Sequence, residues 1–339
     1  MNRLAEKLTT PLSIKDKPLT NRLLLAPMTY LGNIAHRQLL SDYGGYGLLF
    51  AEMCGAKTLP VENREVSAFF KWRDEEAHET LFQIFGNNPH TMAQAAKRIE
   101  QEGFWGVDLN FGCSVSQIHR QGCGAALLKT PDQCIEIIKA VRDAIDIPLW
   151  VKFRTGWHDS PNLPVRLAQA FEQNGVNALT YHPRTAPDRR SRPPKWTYIR
   201  QVKEAVTIPV FGNGNVFTKE DCLKMLEETN CDGVALGRIA IARPWVFSEW
   251  TGRRKWTEEE KRHTAFILAD YLSAHYPEAL TVRRYKRFLA YFTANFQFGH
   301  TLHMRIKHTE TMVEIKEALT RFYESEPRIM PLPNQSVFQ

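Results

Sequence analysis

Hydrophobic and polar positions alternate regularly along most of the chain. Between residues 20 and 250, short apolar or β-branched runs are separated by amphipathic stretches at intervals of about 25 to 30 residues. Stretches such as MAQAAKRIEQEG and DQCIEIIKAVRDAI place apolar residues at i, i+3 and i+4, so they predict helices. The apolar runs predict eight strands: RLLLAPM, GLLFAEM, TLFQIFG, WGVDLNFG, LWVKFRTG, ALTYHPRT, PVFGNGNV and GVALGRIA.

Eight strands with intervening helices predict an α/β fold, the (β/α)₈ TIM barrel. The alternative is a doubly wound parallel sheet, which usually has about five to seven strands and a GxGxxG fingerprint after the first strand. That fingerprint is missing after RLLLAPM. The pattern therefore favours the barrel.

The pattern changes after residue 250. EEEKRHTAFILADYLSAHY, VRRYKRFLAYFTANF and TETMVEIKEALTRFYES predict helices with no strand between them. We expect residues 1–250 to form the barrel and residues 251–339 to form an all-helical domain.

Composition limits the environment of the protein. A hydrophobic content of 43% supports a large core, and six irregularly spaced cysteines match neither a disulfide framework nor a metal site. The N-terminal MNRLAEKLTTPLSIKDKPLTN lacks the apolar segment of a signal peptide, and no window approaches about 18 consecutive apolar residues. We expect a cytoplasmic protein in a reducing compartment, with no metal and no membrane partner.

Polar residues recur at the predicted carboxyl ends of the strands, where barrels place their active sites. Buried barrel strands are usually rich in Val, Ile and Leu, so one such residue could be an ordinary core polar group. Recurrence on successive strands favours a site formed by Met28, Glu52, Gln83, Asn110, Lys152, Arg154, His182, Arg184, Asn213, Gly237 and Arg238.

The last two strand ends suit a phosphate. GNGNV at 212–216 and GRIAIARPW at 237–245 offer backbone N–H groups, and Arg238 adds a charge. The amides of Gln83 and Asn110 can donate and accept hydrogen bonds, as the edge of a flat heteroaromatic ring requires. Lys152 and His182 add positive charge suited to a ring that becomes negative on reduction. Together these features predict bound flavin mononucleotide (FMN).

Cys113 lies in the loop just beyond Asn110, and we expect it close to the flavin ring. A free cysteine is most often a small buried hydrophobic residue, and that interpretation suits Cys54, Cys134, Cys222 and Cys231. Cys113 lies in a strand-end loop instead, where a thiol with a pKa of about 8.5 can act as a general acid. In GCGAALL, Cys123 is expected to be structural.

Eight short motifs follow one another along the chain: LAPM (25–28), QIFGNNP (83–89), GVDLNFGC (106–113), GCGAALL (122–128), VKFRTGW (151–157), HPRT (182–185), GNGNV (212–216) and GRIAIARPWVF (237–247). This ordered set resembles the flavin-dependent tRNA-dihydrouridine synthases. The resemblance covers roughly residues 20 to 250, and RRYKRFLAYF resembles the family's helical domain.

The resemblance implies a barrel that binds FMN and reduces the C5–C6 bond of uridine in RNA, most simply tRNA, with NADPH or NADH as reductant. It implies hydride transfer from reduced flavin to C6 and proton transfer from Cys113 to C5. The residues implied to hold FMN are Pro27, Met28, Gln83, Asn110, Lys152, His182, Asn213, Gly214, Asn215, Gly237 and Arg238.

The chain departs from the family pattern at several positions. Ser114 follows Cys113 where the family usually has proline, and Pro183 stands in HPRT where glycine is usual. PMTYLGN replaces the common opening PMAGVTD, and Asn215 stands where a charged residue is common. Loss of the proline frees the loop backbone, so the departures concern the placement of the thiol and the choice of RNA.

Positive charge is concentrated in two regions of a chain whose net charge is +7. The 31 residues 279–309 contain no Asp or Glu, and aromatic residues interleave their cations. The loop 184–196 follows the sixth predicted strand and therefore belongs to the active face. Ordinary solvated surface is the alternative interpretation. We expect RNA contacts from Arg154, Arg184, Arg189, Arg190, Arg283, Arg284, Lys286 and Arg287.

Other functions remain open at this stage. PLSIKDKPLTNRLLLAPMT is similar to the opening of old yellow enzyme-type ene-reductases, although these lack the Asn-x-Gly-Cys stretch. A dihydroorotate dehydrogenase would not need the basic C-terminal region, and an RNA-binding flavoprotein without catalysis would not need the flavin set. Oligomeric state is not determined by the sequence, and we favour a monomer.

Overall fold

The computed structural model describes residues 3–188 and 191–338. Its strands form a small hairpin and one large parallel sheet, ordered β3-β11-β10-β9-β8-β7-β6-β4, with β5 also pairing with β6. The strands are β1 (Leu12–Ile14), β2 (Lys17–Leu19), β3 (Leu23–Leu25), β4 (Leu49–Phe50), β5 (Cys54–Gly55), β6 (Thr80–Phe85), β7 (Gly106–Phe111), β8 (Leu149–Gly156), β9 (Ala178–Thr185), β10 (Val210–Asn213) and β11 (Gly233–Leu236).

The large sheet closes into a barrel of eight strands. A parallel bridge between Leu24 and Leu48 joins the first and last strands of the path, and the Leu25 N–H donates to the Leu48 carbonyl at 3.1 Å. Each predicted apolar run contributes one strand, so the TIM-barrel prediction is confirmed. The seventh run is shorter than predicted, because the backbone turns at Gly214 and Asn215, with φ of 118° and 55°.

Amphipathic helices surround the barrel and bury one face against its strands. Short 3₁₀ turns at Leu59–Val61, Gly124–Lys129, Thr293–Asn295 and Gln335–Phe338 complete the connections. The helices are α1 (Arg3–Thr9), α2 (Ile34–Tyr43), α3 (Asp74–Ala77), α4 (Pro89–Gln101), α5 (Ser116–His119), α6 (Pro131–Ala144), α7 (Asn162–Gln173), α8 (Thr197–Glu204), α9 (Lys219–Thr229), α10 (Arg238–Ala242), α11 (Val246–Trp250), α12 (Glu258–His275), α13 (Glu278–Phe292), α14 (His300–Ile306) and α15 (Met312–Tyr323).

The β1–β2 hairpin packs against the interior of the barrel. Lys15 and Asp16 both have positive φ, as a two-residue type I′ turn requires. The hairpin buries Ile14 and Leu19 in the same cluster as the barrel-interior side chain of Trp150. The interior is therefore a packed core, and function is left to the loops at the carboxyl ends of the strands.

The C-terminal helices α12 to α15 pack together and against α2 of the barrel. A separate hydrophobic cluster joins Leu39 of α2 to Leu268, Phe288 and Ile315. The helical character of this region agrees with the predicted pattern, while the domain division at residue 250 stays a prediction. The shared cluster joins α13 firmly to the barrel side that carries α2.

Candidate functional site

A cavity of about 220 Å³ opens at the carboxyl ends of the strands. Most residues predicted to hold a cofactor line it, but Gln83 and Asn110 do not. Arg154 and Arg184, predicted as RNA contacts, also line this cavity. The predicted cofactor residues in its wall are Pro27, Met28, Lys152, His182, Asn213, Gly214, Asn215, Gly237 and Arg238.

Two arginines converge on one side of the cavity. Arg238 and Arg184 each donate to the Asn215 side-chain oxygen, at 2.9 and 3.1 Å. The Arg238 guanidinium also lies 5.1 Å from the centre of the Phe217 ring. This arrangement fixes two planar cations at the cavity wall, a donor set suited to a phosphate.

Gly214 allows the backbone to approach the centre of the site. Its φ is 118°, and an added Cβ would lie 2.9 Å from the His182 ring. No other residue type fits this position without displacing the imidazole. The glycine of GNGNV therefore keeps the cavity open beside His182.

The charges at the cavity wall suppress protonation of the histidine. Burial lowers the pKa of His182 well below its usual value, and the charges of Arg154 and Lys152 lower it further. The imidazole is therefore neutral, and a hydrogen bond of 3.3 Å joins its Nε2 to Arg184. Because arginine can only donate, Nε2 accepts this bond and Nδ1 carries the proton. The expected positive charge at His182 is therefore wrong, and Lys152 and the arginines supply the charge.

Gln83 and Asn110 belong to a buried network that is not part of the cavity lining. Gln83 donates to Asp108 at 2.6 Å and accepts from Asn110 at 2.8 Å. Burial raises the pKa of Asp108, although the Gln83 hydrogen bond and Lys152 oppose this shift. Burial and Arg154 lower the pKa of Lys152, and Asp108 opposes that change. Asp108 was missed by the sequence analysis, because a carboxylate inside an apolar strand gives no local motif.

Asn110 fixes the loop that carries Cys113. Its side-chain oxygen accepts from the backbone N–H of Gly112 at 3.1 Å and of Cys113 at 2.9 Å. Its amide nitrogen contacts the Met53 sulfur at 3.4 Å. The side chain of Asn110 therefore acts as a positioning group for the thiol.

The Cys113 thiol is half-buried, and the charges of cavity residues act on it. Burial raises its pKa, while the Val115 N–H, Arg154 and Lys152 act in the opposite direction. The thiol is therefore protonated at neutral pH and lies within the field of two cations in the cavity wall. These are the properties of a proton donor whose thiolate product is stabilised.

The GCGAALL motif packs beneath this loop. The Ala125 N–H donates to the Cys113 carbonyl at 2.9 Å, and a Cβ on Gly124 would approach that oxygen to 2.7 Å. Gly124 also has a φ of 62°, which L-residues rarely adopt. Cys123 is buried and its thiol lies 3.5 Å from the Gln121 carbonyl, in agreement with a structural role.

The predicted RNA contacts separate into different environments. Arg283 and Arg287 are exposed on α13, and Lys286 is half-buried, donating to the Lys307 carbonyl at 3.1 Å. Arg189 and Arg190 lie outside the described residues.

Arg284 does not lie on the surface. It is 2% exposed and forms an ion pair of 2.9 Å with Glu52. Its prediction as an RNA contact is therefore wrong, because the guanidinium is already paired with a carboxylate inside the protein. Arg184 is 4% exposed and, like Arg154, lines the cavity at the barrel mouth, so its contact with RNA stays a prediction.

Across residues 3–188 and 191–338, no helix has the length and apolar character needed to cross a membrane. Within those same ranges, no three His, Cys, Asp or Glu side chains are grouped as metal ligands.

The chain matches the family described as dihydrouridine synthase (Dus) over residues 24–324. It is 36% identical over 231 residues to tRNA-dihydrouridine synthase B of Pseudomonas aeruginosa, covering 68% of this chain and 69% of that protein. It is 28% identical over 321 residues to a probable tRNA-dihydrouridine synthase of Rickettsia conorii, covering 93% and 97%. A probable tRNA-dihydrouridine synthase of Mycobacterium tuberculosis is 31% identical, covering 91% and 84%.

Solved structures with a similar fold include other barrel enzymes. A morphinone reductase in complex with tetrahydroNAD aligns with a TM-score of 0.51 and 14% identity, covering 73% of this chain and 91% of that chain. TcOYE with pHBA aligns with a TM-score of 0.52 and 15% identity, covering 74% and 94%. These identities support the barrel fold alone, whereas the family match extends through the helical region. The chain belongs to the dihydrouridine synthase family, whose members are flavin-dependent oxidoreductases.

Proposed function

We propose that this protein reduces uridine to dihydrouridine in tRNA, with FMN bound in the cavity and Cys113 as the proton donor. The observation that carries the proposal is the protonated Cys113 thiol, which Asn110 holds beside the cations of the cavity wall. Family membership supports the reaction and the flavin, with NADPH or NADH as reductant.

The residues in the cavity fit FMN. Arg238 and Arg184 present fixed guanidinium groups to the phosphate, and Gly214 leaves space beside His182 for a flat ring. Lys152 lines the cavity and its charge acts on the Cys113 thiol, so it would also stabilise negative charge on a reduced flavin ring. Gln83 and Asn110 stand behind this cavity and act by orienting the Cys113 loop.

When bound and reduced, FMN would supply a hydride to C6 of uracil. The Cys113 thiol donates its proton to C5, which completes the saturation of the C5–C6 bond and leaves a thiolate. Arg154 and Lys152 stabilise that thiolate, since their charges favour the ionised form of Cys113. Solvent then returns a proton to the sulfur. The target base must leave its stack to reach the cavity, so the RNA has to be held by surface outside the barrel mouth.

The exposed cations of α13 supply such a surface. Arg283 and Arg287 lie on the helical region that packs against the barrel at α2. Positive side chains bind the RNA backbone through phosphate contacts that depend on salt. We also propose a monomer that works in the cytoplasm, which size-exclusion chromatography with light scattering and cell fractionation can test.

The test of the proposed function uses purified holoenzyme, NADPH and a tRNA transcript, with dihydrouridine measured by nucleoside mass spectrometry. Cys113→Ala is expected to lower the rate by about 10² to 10⁴-fold, because general acids contribute that much. Bound flavin should be retained. Cys123→Ala is the matched control, since its thiol is buried in the neighbouring motif. Equal activity of Cys113→Ala and wild type would remove Cys113 from the mechanism.

A further inference from the structure

Tyr30 combines two unfavourable features in the loop after β3. Its φ is 68°, in the left-handed region, and the residue is 36% exposed. A bulky residue rarely adopts this conformation, because its Cβ then lies close to the backbone. Such strain persists only where surrounding structure holds it, and it is concentrated at functional sites.

A buried ion pair holds the backbone of Tyr30 from both sides. The Tyr30 N–H donates to the Glu52 carboxylate, and its carbonyl accepts from Arg284 at 3.4 Å. Glu52 and Arg284 pair at 2.9 Å, with side chains only 1% exposed. The ion pair therefore joins the strained loop to helix α13.

The Tyr30 ring packs against a second arginine, Arg287. The Arg287 guanidinium lies 3.9 Å from the ring centre, and the Phe69 ring lies at 5.6 Å. Arg287 follows Arg284 by three positions, so both lie on the side of α13 that faces the barrel mouth. Tyr30 and Arg287 are both exposed and form a surface pair of an aromatic ring and a guanidinium group, here named the Tyr30–Arg287 platform.

This platform belongs to the same mouth as the cavity. Met28, two residues before Tyr30, lines the cavity. Met53, next to Glu52, contacts Asn110, which in turn positions Cys113. Short connections therefore tie the platform both to the cofactor cavity and to the thiol loop.

We propose that the Tyr30–Arg287 platform stacks a nucleobase adjacent to the uridine that is reduced. The inference rests on the proposed function, since it adds a subsite to that reaction. Extraction of a uridine exposes a face of its neighbour, and aromatic rings and guanidinium planes both stack on unpaired bases. The positive charge also suits the adjoining phosphate. Holding the neighbour fixes the direction from which the target enters the cavity.

The experiment is a double-mutant cycle that combines a substitution in the protein with the removal of a base from the RNA. Wild-type holoenzyme first identifies the reduced uridine by mass spectrometry. RNAs are then made with an abasic nucleotide on its 5′ or its 3′ side. Tyr30→Gly should lower kcat/KM on intact RNA by about 5- to 150-fold, mainly through KM, because stacking contributes that much per base. On the abasic RNA that lacks the stacked neighbour, Tyr30→Gly should cause no further loss of kcat/KM.

Control variants separate stacking from folding and from charge. Glycine suits the φ of Tyr30, so the melting temperature of Tyr30→Gly should stay within about 3 °C of wild type and its FMN affinity should not change. Tyr30→Phe keeps the ring and should retain the wild-type KM. Arg287→Lys keeps the charge but loses the plane, so it should raise KM more than Arg283→Ala does.

Several results would overturn the inference. Equal losses for Tyr30→Gly on intact and on both abasic RNAs would mean that no flanking base stacks there. A wild-type KM for Arg287→Lys would exclude the guanidinium plane. If wild-type enzyme makes dihydrouridine and the Tyr30→Gly and Arg287→Lys variants keep the wild-type KM, only this inference is overturned. If the wild-type reaction makes no dihydrouridine, the proposed function is overturned as well.

Discussion

The barrel mouth and the junction between barrel and helices both shelter arginines, but they present different partners to them. At the junction, Arg284 meets the Glu52 carboxylate at 2.9 Å. At the mouth, Arg184 and Arg238 donate to the neutral side-chain oxygen of Asn215 and line the cavity. One arrangement binds the protein to itself, and the other holds guanidinium groups in the wall of the cavity.

This difference shows that a basic stretch in the sequence does not reveal the role of each arginine within it. Arg284 and Arg287 occur in the same RRYKR run, yet one is 2% exposed and the other is exposed. Arg284 reaches the buried Glu52 carboxylate, whereas Arg287, nearly one turn later on the same side of α13, lies over the exposed Tyr30 ring. Four experiments test this contrast.

The largest expected effect follows from breaking the junction pair. Arg284→Ala leaves the Glu52 carboxylate buried without its cation, and removal of one partner of such a pair costs about 3–5 kcal/mol of unfolding free energy. Urea unfolding of the purified holoenzyme measures it. Arg283→Ala, on the exposed neighbouring position, should lose less than about 0.5 kcal/mol. Similar losses in both variants would contradict the assignment of Arg284 to the fold.

The mouth arginines should affect ligand binding more than folding. Arg238→Ala should weaken FMN binding by about 10- to 150-fold, since a hydrogen bond to a charged group contributes about 1.5–3 kcal/mol. Titration of apoprotein with FMN, followed by flavin fluorescence, gives the dissociation constant. Arg238→Lys should recover only part of the affinity, because it lacks the planar fork. An unchanged constant for Arg238→Ala would place the phosphate elsewhere.

His36 provides a pH-dependent test of the junction. Its side chain is buried, and burial followed by the charge of Arg37 lowers its pKa from 6.5 to about 3. The unfolded chain therefore binds the proton first as pH falls below 6.5, so stability is lost on acidification. On going from pH 7 to pH 5, His36 should lower the free energy of unfolding by about 2 kcal/mol.

His36→Leu should remove that contribution from the acid sensitivity. Unfolding free energies measured at both pH values give the change, with wild type as reference and His182 unaltered. An identical loss on acidification in both proteins would assign the sensitivity to other groups.

The smallest expected effect concerns the exposed cations. Arg283→Ala should reduce the slope of log K for RNA against log salt by about 0.7–0.9, the contribution of one phosphate contact. Filter binding over a series of salt concentrations measures the slope. The matched control is Glu310→Gln, which removes one charge from an exposed residue beyond α13. This substitution should not reduce the salt slope. An unaltered slope for Arg283→Ala would make it ordinary solvated surface.

The fold followed from the sequence to a large extent because its signals are local and repeated. Each apolar run was long enough to specify a buried strand, and each amphipathic stretch specified a covering helix. The β1–β2 hairpin was not predicted, because Lys15 and Asp16 lack the glycine that usually indicates a type I′ turn. Its burial of Ile14 and Leu19 depends on contacts distant in sequence.

The cavity residues were predictable because parallel strands place their carboxyl ends together. The hydrogen bonds that join Gln83 and Asn110 to Asp108 and to the thiol loop were not predictable, because they form between separate strands and loops. Neither residue is part of the cavity lining, and their contacts with the flavin stay predictions. Tyr30 also gave no signal, since its left-handed backbone and its layering with Arg287 exist only after folding.

The distribution of thiols makes this chain chemically simple in its native state. All six cysteines of the sequence lie in the described residues, where five are buried and Cys113 is half-exposed. An alkylating reagent applied to the folded protein therefore addresses one sulfur, and intact mass counts the adduct. Because burial raises the pKa of Cys113, labelling should accelerate at alkaline pH. Protection of that sulfur then reports occupancy of the mouth without any turnover.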